Sequence, residues 1–380
     1  MTTTTRRLAQ VALFLALQSL CATVCAERVG FEGLGDNVSL DLPEEFYVAA
    51  NMGEDSFLLE CTLVPVKVVA KVVQLSSSPK EALTAAMRKL RVSYTIAGED
   101  EGSALVRLSG AIEGKECTGW AAVGKDRVTG RGVLLIAWCE KGQPYEFVQE
   151  SIIDSLCLAL SDLFSPGIFM RQVYPDCGER TPVKAAISGQ TIESSVDSRS
   201  QESSQHLIDR EYQLLLLYQT SSRWAQAWQR YYRMIFKDSC YRVRRFSLDV
   251  YFALVTGCED ETDFAQRLLT WTQGMSYERR KTTSDFTSLP SMLLGEGSDC
   301  DARAMMIAAV LQNSYIDSCL FVSASYSHAV AGLASDHPGF AFEAGGKSYL
   351  VGETTVPALT WGIIAQEQTD RSQWIPVLLP

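Results

Sequence analysis

Three residues toward the C-terminal end of the chain are of types that do chemistry together. Cys300 stands between two aspartates in "GEGSDCDARA", His328 follows 28 residues later in "SYSHAVAGLA", and Glu353 lies 25 further on in "YLVGETT". A thiol becomes a strong nucleophile as its thiolate, an imidazole can take and return the proton, and a carboxylate can fix the imidazole's tautomer and stabilise its cation. Each residue alone also has a blander reading: a buried structural cysteine, a core histidine on a strand, a solvated carboxylate at a strand end. Their order and spacing make the three signals reinforce one another.

Chemistry at those residues requires elements that bring them together. Ala304, Ile307, Ala308 and Leu311 recur at helical spacing, which predicts a buried helix starting at or just after Cys300. Asp299 and Asp301 suit a helix start, where unpaired N–H groups need acceptors. Cys300 then faces the positive end of the helix dipole, which favours thiolate. The flanking carboxylates oppose that effect, so a further cation is needed. His328 belongs to a strand-like run after "CLFVSA". "KSYLVGETT", preceded by Gly345-Gly346 as a hairpin turn, reads as a neighbouring strand able to set Glu353 beside His328. The other two histidines are poorer candidates: His206 sits at the edge of a Ser-rich segment and His337 in the turn "SDHPGF".

These motifs resemble those of the transglutaminase-like cysteine peptidase superfamily, particularly its bacterial exported members. Members show a Gly-Asp-Cys-Asp-Asp-type start to the catalytic helix, then His-Ala on one strand and Glu-Thr-Thr or Asp-x-Thr on the next. The resemblance covers roughly residues 210–370 and implies a papain/transglutaminase-like domain, a helical lobe plus an antiparallel sheet. It implies Cys300 as nucleophile, His328 as base and Glu353 as orienting acid. Through the upstream segment "LLTWTQGMSYERR" it also implies Gln273 as an oxyanion donor and Tyr277 packed beneath the site. A helix-end glutamine facing water is the other reading of Gln273.

The implied activity is a cysteine peptidase or amidase acting on a peptide or isopeptide carboxamide, with protein cross-linking as the runner-up. No metal or organic cofactor is implied. Two departures keep a different class open. Ser298 stands where the family usually has glycine, and Ala302 replaces the common second aspartate. Ser298 can crowd the turn or alter oxyanion contacts, and the two departures together suit a catalytically idle module that binds a peptide or an envelope partner.

The rest of the chain reads as α+β. Residues 27–170 alternate strand-like runs ("SFLLECTLV", "VKVVAKVVQL", "ALVRLSGAI", "RGVLLIAWCE") with two helices, "SSPKEALTAAMRKL" and "YEFVQESIIDSLCLALSDLF". They predict an antiparallel sheet with covering helices and resemble, faintly, small α+β sandwiches of the PsbP type. Ser78, Pro79 and Glu81 mark the first helix start. Residues 178–205 are rich in Ser, Gln and charge and are expected to form a flexible linker to a second domain, 206–380. Trp224, Trp228, Tyr231, Tyr232 and Ile235 fall at helical spacing and are expected to be the packing face of a core helix.

At the start of the chain, Arg6 and Arg7, an apolar run and Val24-Cys25-Ala26 read as a secretory signal peptide, 1–26, cleaved after about Ala26. A periplasmic or secreted protein is therefore expected, with a peptide or protein substrate in the cell envelope. The net charge of −11 moves to about −13 on removal of those two arginines, and no basic cluster exists, which disfavours nucleic acid and anionic lipid as partners. No later run is apolar enough for an integral membrane span. Three histidines without Cys-x-x-Cys or His-x-x-x-His spacing argue against zinc. Of eleven cysteines, nine follow the signal segment, an odd number that leaves at least one unpaired within the molecule if the others form disulfides. Cys300 is the candidate for the spare thiol, and a Cys300–Cys319 bridge is the reading in which the chain is purely structural.

Overall fold

Alternation of apolar residues along long strands builds the N-terminal half. The computed structural model describes residues 28–380 apart from 32, 33, 36, 54, 76, 77 and 279–283. The expected signal segment lies outside the described residues, as does "RRKTT" of the segment leading to the nucleophile. After the short strands β1 (Arg28–Gly30) and β2 (Ser39–Asp41) come β3 (Phe46–Asn51), β4 (Ser56–Cys61), β5 (Lys67–Gln74), helix α1 (Pro79–Leu90), β6 (Ser93–Glu99), β7 (Ser103–Ile112), β8 (Lys115–Lys125) and β9 (Arg131–Glu140). Strands β3 to β9 form one antiparallel sheet in the order β3-β4-β5-β9-β8-β7-β6. Successive side chains face opposite sides. Ala121, Val123, Leu134 and Ile136 pack under α1, whereas Trp120, Ala122, Leu135 and Ala137 point to the helices that follow. Ser78 caps α1 as its sequence predicts, its hydroxyl accepting from the Glu81 N–H at 3.2 Å.

The second predicted helix is shorter than its sequence suggests. Helix α2 (Glu146–Asp154) ends where β10 (Leu156–Cys157) pairs with β2. The Asp162 carboxylate accepts from the N–H groups of Leu158 and Ala159, so the chain turns into a short 3₁₀ segment instead of continuing as α-helix. Helix α3 (Ile168–Val173) completes this layer.

The Ser-rich stretch 178–205, expected to be a flexible linker, instead folds. Strands β11 (Arg180–Ile187) and β12 (Gln190–Asp197) form an eight-pair hairpin around Ser188-Gly189, both at positive φ, and helix α4 (Ser200–Leu216) begins inside the stretch. Val183, Ala185, Ile187, Ile192 and Val196 are buried, and the small Ser203 and Ser204 side chains let α4 pack closely.

Helices α5 (Trp224–Arg242), α6 (Arg244–Leu254), α7 (Glu261–Gln273), α8 (Leu289–Leu293) and α9 (Cys300–Asn313) follow. Then come strands β13 (Ser318–Ser323), β14 (His328–Ala334), β15 (Ala341–Ala344), β16 (Lys347–Gly352) and β17 (Ile375–Leu378), an antiparallel sheet ordered β15-β16-β14-β13-β17. Helix α9 is buried all round, the state of a helix enclosed by other elements. It lies against Leu320, Val322, Ala329 and Ala331 of the sheet, while Cys319, Phe321, Val330 and Val351 form a separate cluster.

One hydrophobic cluster runs from the N-terminal sheet through α2 and α4 into α5 and α9. At that junction lies a buried ionic network. Arg210 bonds Asp154 and Glu211, both at 2.7 Å; Arg230 reaches the other Glu211 oxygen at 2.9 Å; Arg233 holds Asp41 at 2.9 Å. The fold class is α+β, as the sequence predicts. Among the described residues no helix is long and apolar enough to cross a membrane, and no cluster of three or more metal-ligating side chains occurs.

Candidate active site

The nucleophile candidate is positioned by a capped helix start. Asp299 is the N-cap of α9: its carboxylate accepts from Ala302 N–H at 2.8 Å and from Thr287 N–H at 2.7 Å, tying the helix to the segment before α8. Cys300 is thus the first residue of the helix and only 1% exposed. Its Sγ lies 3.7 Å from the Asp301 carboxylate, which also accepts the Tyr232 hydroxyl at 2.6 Å. Burial, reinforced by the negative charge of Asp301, pushes the Asp299 carboxyl up to about 7.

The sheet supplies the other two groups. Gly345 and Gly346, both at positive φ, turn β15 into β16, and β16 also pairs with β14, with Gly352 opposite Ala331. His328 opens β14 and Glu353 follows the last residue of β16. The His328 Nε2 and Glu353 Oε2 are 2.7 Å apart, with both side chains largely shielded from solvent. The other Glu353 oxygen accepts from the Thr355 N–H at 2.7 Å and hydroxyl at 2.6 Å. Burial alone would raise the Glu353 carboxyl; its bond to His328, the imidazole's charge and the two Thr355 bonds outweigh it and hold the group below the ordinary glutamate range. An ionised carboxylate only accepts, so Nε2 carries the proton and Nδ1 is the basic nitrogen. The Trp374 ring stands against the imidazole, centroids 6.2 Å apart.

The amide N–H groups of Gln273, expected to face an oxyanion, are engaged by backbone carbonyls in this structure. Its Nε2 donates to the backbone carbonyls of Glu353, at 2.8 Å, and Leu359, at 3.1 Å. Exchanging its amide O and N would face an oxygen to two oxygens, so this orientation is fixed by its acceptors. Gln273 is a brace for the Glu353 segment.

Ser298 does not crowd the turn. It is fully buried, donates to the Ser276 carbonyl at 2.9 Å and accepts from Arg303 Nε at 2.8 Å. Tyr277 is half-exposed, with the Arg303 guanidinium over its ring at 5.2 Å. His206 stacks with Tyr174 and Phe169, and His337 is exposed beside Asp260, so neither joins the group.

The aromatic stripe on α5 packs into the central cluster, as expected, and also borders a space. Ile235 is fully buried, but Trp224, Trp228, Tyr231 and Tyr232 line a cavity of about 320 Å³ whose wall also includes Asp301 and His328. That cavity is the visible approach to the imidazole. The indole N–H of Trp228 is buried and has no hydrogen-bond partner among the described residues. Sequence periodicity identified this stripe without showing that its aromatic part faces a space.

All nine described cysteines are free thiols. A Cys300–Cys319 bridge is not formed: Cys300 belongs to the central cluster, and Cys319 to the separate cluster across the sheet.

No family model matches the chain, and no curated protein matches it. Solved structures give distant likenesses. The Saccharomyces cerevisiae Ran-binding protein Mog1p is 9% identical, over 30% of this chain and 78% of that one, with a TM-score of 0.24. LpqN, described as involved in cell envelope biogenesis of Mycobacterium tuberculosis, is 14% identical over 30% and 78%, with a TM-score of 0.20. A Bacteroides thetaiotaomicron protein is 13% identical over 91% of this chain and 94% of its own, with a TM-score of 0.25. None of these scores ties the fold to that of a solved structure.

Proposed function

We propose that this chain is an exported, transglutaminase-like thiol acyl-transfer enzyme, a cysteine peptidase or amidase acting on a peptide or isopeptide carboxamide in the cell envelope. The observation that carries the reading is the 2.7 Å His328–Glu353 pair at the ends of neighbouring strands, in the sheet that packs on the helix whose first residue is Cys300. In the proposed reaction His328 Nδ1 takes the thiol proton as Sγ attacks the carbonyl carbon. N–H groups of the helix's first turn hold the oxyanion. The imidazolium returns its proton to the amine nitrogen as the C–N bond breaks, leaving a thioester on Cys300. Water, deprotonated by the same imidazole, then adds to the thioester and the C–S bond breaks, releasing the acid and restoring the thiol. Glu353 keeps the imidazole oriented and stabilises its charged form throughout.

A second reading has an observation of its own. The near-complete burial of Cys300, with carboxylates on both sides, suits an idle module that only binds a peptide. Iodoacetamide labelling of the mature protein across a pH series, mapped by mass spectrometry, separates the two. The enzyme reading expects Cys300 to label quickly at pH 6.5, below the ordinary thiol pKa of about 8.5, and to lose that reactivity in His328→Ala. Labelling like a free thiol, indifferent to His328, favours the binding module.

A further inference from the structure

Arg303 is the largest of the fully buried side chains, and it lies one helical turn from Cys300. Its guanidinium reaches three separate segments. Nε donates to the Ser298 hydroxyl at 2.8 Å, Nη1 to the Thr354 carbonyl at 3.0 Å, and Nη2 to the Met275 carbonyl at 2.6 Å. These are the turn before the nucleophile, the peptide that follows Glu353, and the end of the α7 segment that carries Gln273. All three acceptors are neutral. Arg303 has no carboxylate within ion-pair distance among the described residues, unlike Arg210, Arg230, Arg233 and Arg242, the other buried or nearly buried arginines, which all hold one.

An unpaired buried cation is costly unless something nearby uses its charge. Burial lowers the Arg303 pKa, opposed by the electrostatic pull of Tyr277, Asp299, Cys300 and Glu353. The thiolate form of the site carries negative charge on Cys300 and Glu353 and one positive charge on the imidazolium. Asp299 and Asp301 flank the thiol besides. Arg303 adds a fixed positive charge within electrostatic reach of Asp299, Cys300 and Glu353.

We infer that Arg303 is the positioning residue of this site: its fork holds the nucleophile turn and the Glu353 peptide in register, and its buried charge favours the thiolate of Cys300. This deepens the thiol-enzyme reading and rests on it for the use made of the charge. Arg303 reaches no substrate; it acts through Cys300 and Glu353.

The test is the pH midpoint of Cys300 labelling by iodoacetamide in the full mature chain, for wild type, Arg303→Met and Arg303→Lys. Loss of a neighbouring cation is expected to raise the midpoint by about one unit or more in Arg303→Met. Arg303→Lys, which keeps the charge and loses the fork, stays nearer the wild-type midpoint while labelling more slowly. An unchanged midpoint in folded Arg303→Met overturns the inference, because a residue that only packs alters stability and not the titration of the thiol. If Arg303→Met does not fold, Arg303→Gln decides in the same way, since it keeps donors without charge. The enzyme reading is judged separately, on whether His328→Ala abolishes wild-type reactivity. An Arg303-dependent midpoint without His328 dependence upholds the inference and sinks the reading; the reverse result does the opposite.

Discussion

The two sheets of this molecule handle polar groups in opposite ways. In the seven-stranded N-terminal sheet, polar and charged side chains mostly stand at strand ends and on solvent-facing positions. Ion pairs on this sheet such as Lys67–Glu113 are exposed, and Arg131–Asp55 is only half-shielded. In the five-stranded C-terminal sheet and the helix behind it, Gln273, Ser298, Asp299, Arg303, Glu353 and Thr354 are all buried. Burying so many polar groups destabilises a core unless they are bonded; Ser298, Asp299, Arg303 and Glu353 are, whereas Gln273 Oε1 and Thr354 Oγ1 are buried without a partner among the described residues. The first region is built for stability and needs no convergent chemistry. The second retains costly polar groups around one thiol and one imidazole, which is what the proposed function asks of it.

Perturbing each region in turn sharpens that contrast, from large effects to small. Within the site, Glu353→Gln removes the charge that orients and stabilises the imidazolium and is expected to cut reactivity of Cys300 by roughly 10²–10⁴-fold, measured as the iodoacetamide rate constant at pH 7. Between the regions, Arg210→Met removes the guanidinium from Asp154 and one of the two that hold Glu211, each carboxylate only 1% exposed at the side chain. It is expected to destabilise the protein by about 3–5 kcal/mol, read from the urea midpoint. An unchanged midpoint would mean that the junction contributes little to stability.

The N-cap aspartate gives a pH test. The folded-state pKa of Asp299, about 7, lies above its ordinary value near 3.8, so the folded protein binds the proton more tightly than the unfolded one. The stability from this group is fully present below pH 3.8 and declines as pH rises toward 7. Glu353 acts in the other direction: its pKa is depressed, so its contribution is present above about 4.5 and is lost as pH falls through the folded value. Thermal melts of Asp299→Asn between pH 5 and 8 are expected to show a flatter decline than wild type. An equal slope would contradict the assignment. At the far end of the N-terminal sheet, Ser78→Ala removes one cap bond and is expected to cost about 1 kcal/mol without altering Cys300 labelling.

The site was legible in the sequence where local pattern carries it. The Asp299 cap, the helical run after Cys300 and the strand-like flanks of His328 and Glu353 predicted three elements that the structure contains, and β14 and β16 are neighbours as expected. What sequence could not supply was what each polar group touches. Gln273 and Arg303 have bonds to carbonyls brought in from distant segments, and nothing within a few residues announces them. The sequence did show that the thiol needed a cation beyond the helix dipole, and Arg303, one helical turn along α9, is a buried one. The Ser-rich stretch misled through composition. Its alternating Val183, Ala185 and Ile187, with Ser188-Gly189 as turn, were the hairpin signal that serine and charge obscured. The long helix expected over 145–164 failed because pairing of Leu156 and Cys157 with β2, a tertiary event, overrode helical periodicity.

The central claim is that Cys300, His328 and Glu353 work as one unit, and a double-mutant cycle on the labelling rate of Cys300 tests it most directly. Wild type, His328→Ala, Glu353→Gln and the double variant are compared at pH 7, with circular dichroism confirming that each is folded. A coupled unit predicts that Glu353→Gln costs nothing further once His328 is gone, so the double variant labels at the His328→Ala rate. Two losses that multiply would show the histidine and the carboxylate acting independently on the thiol, and would contradict the account.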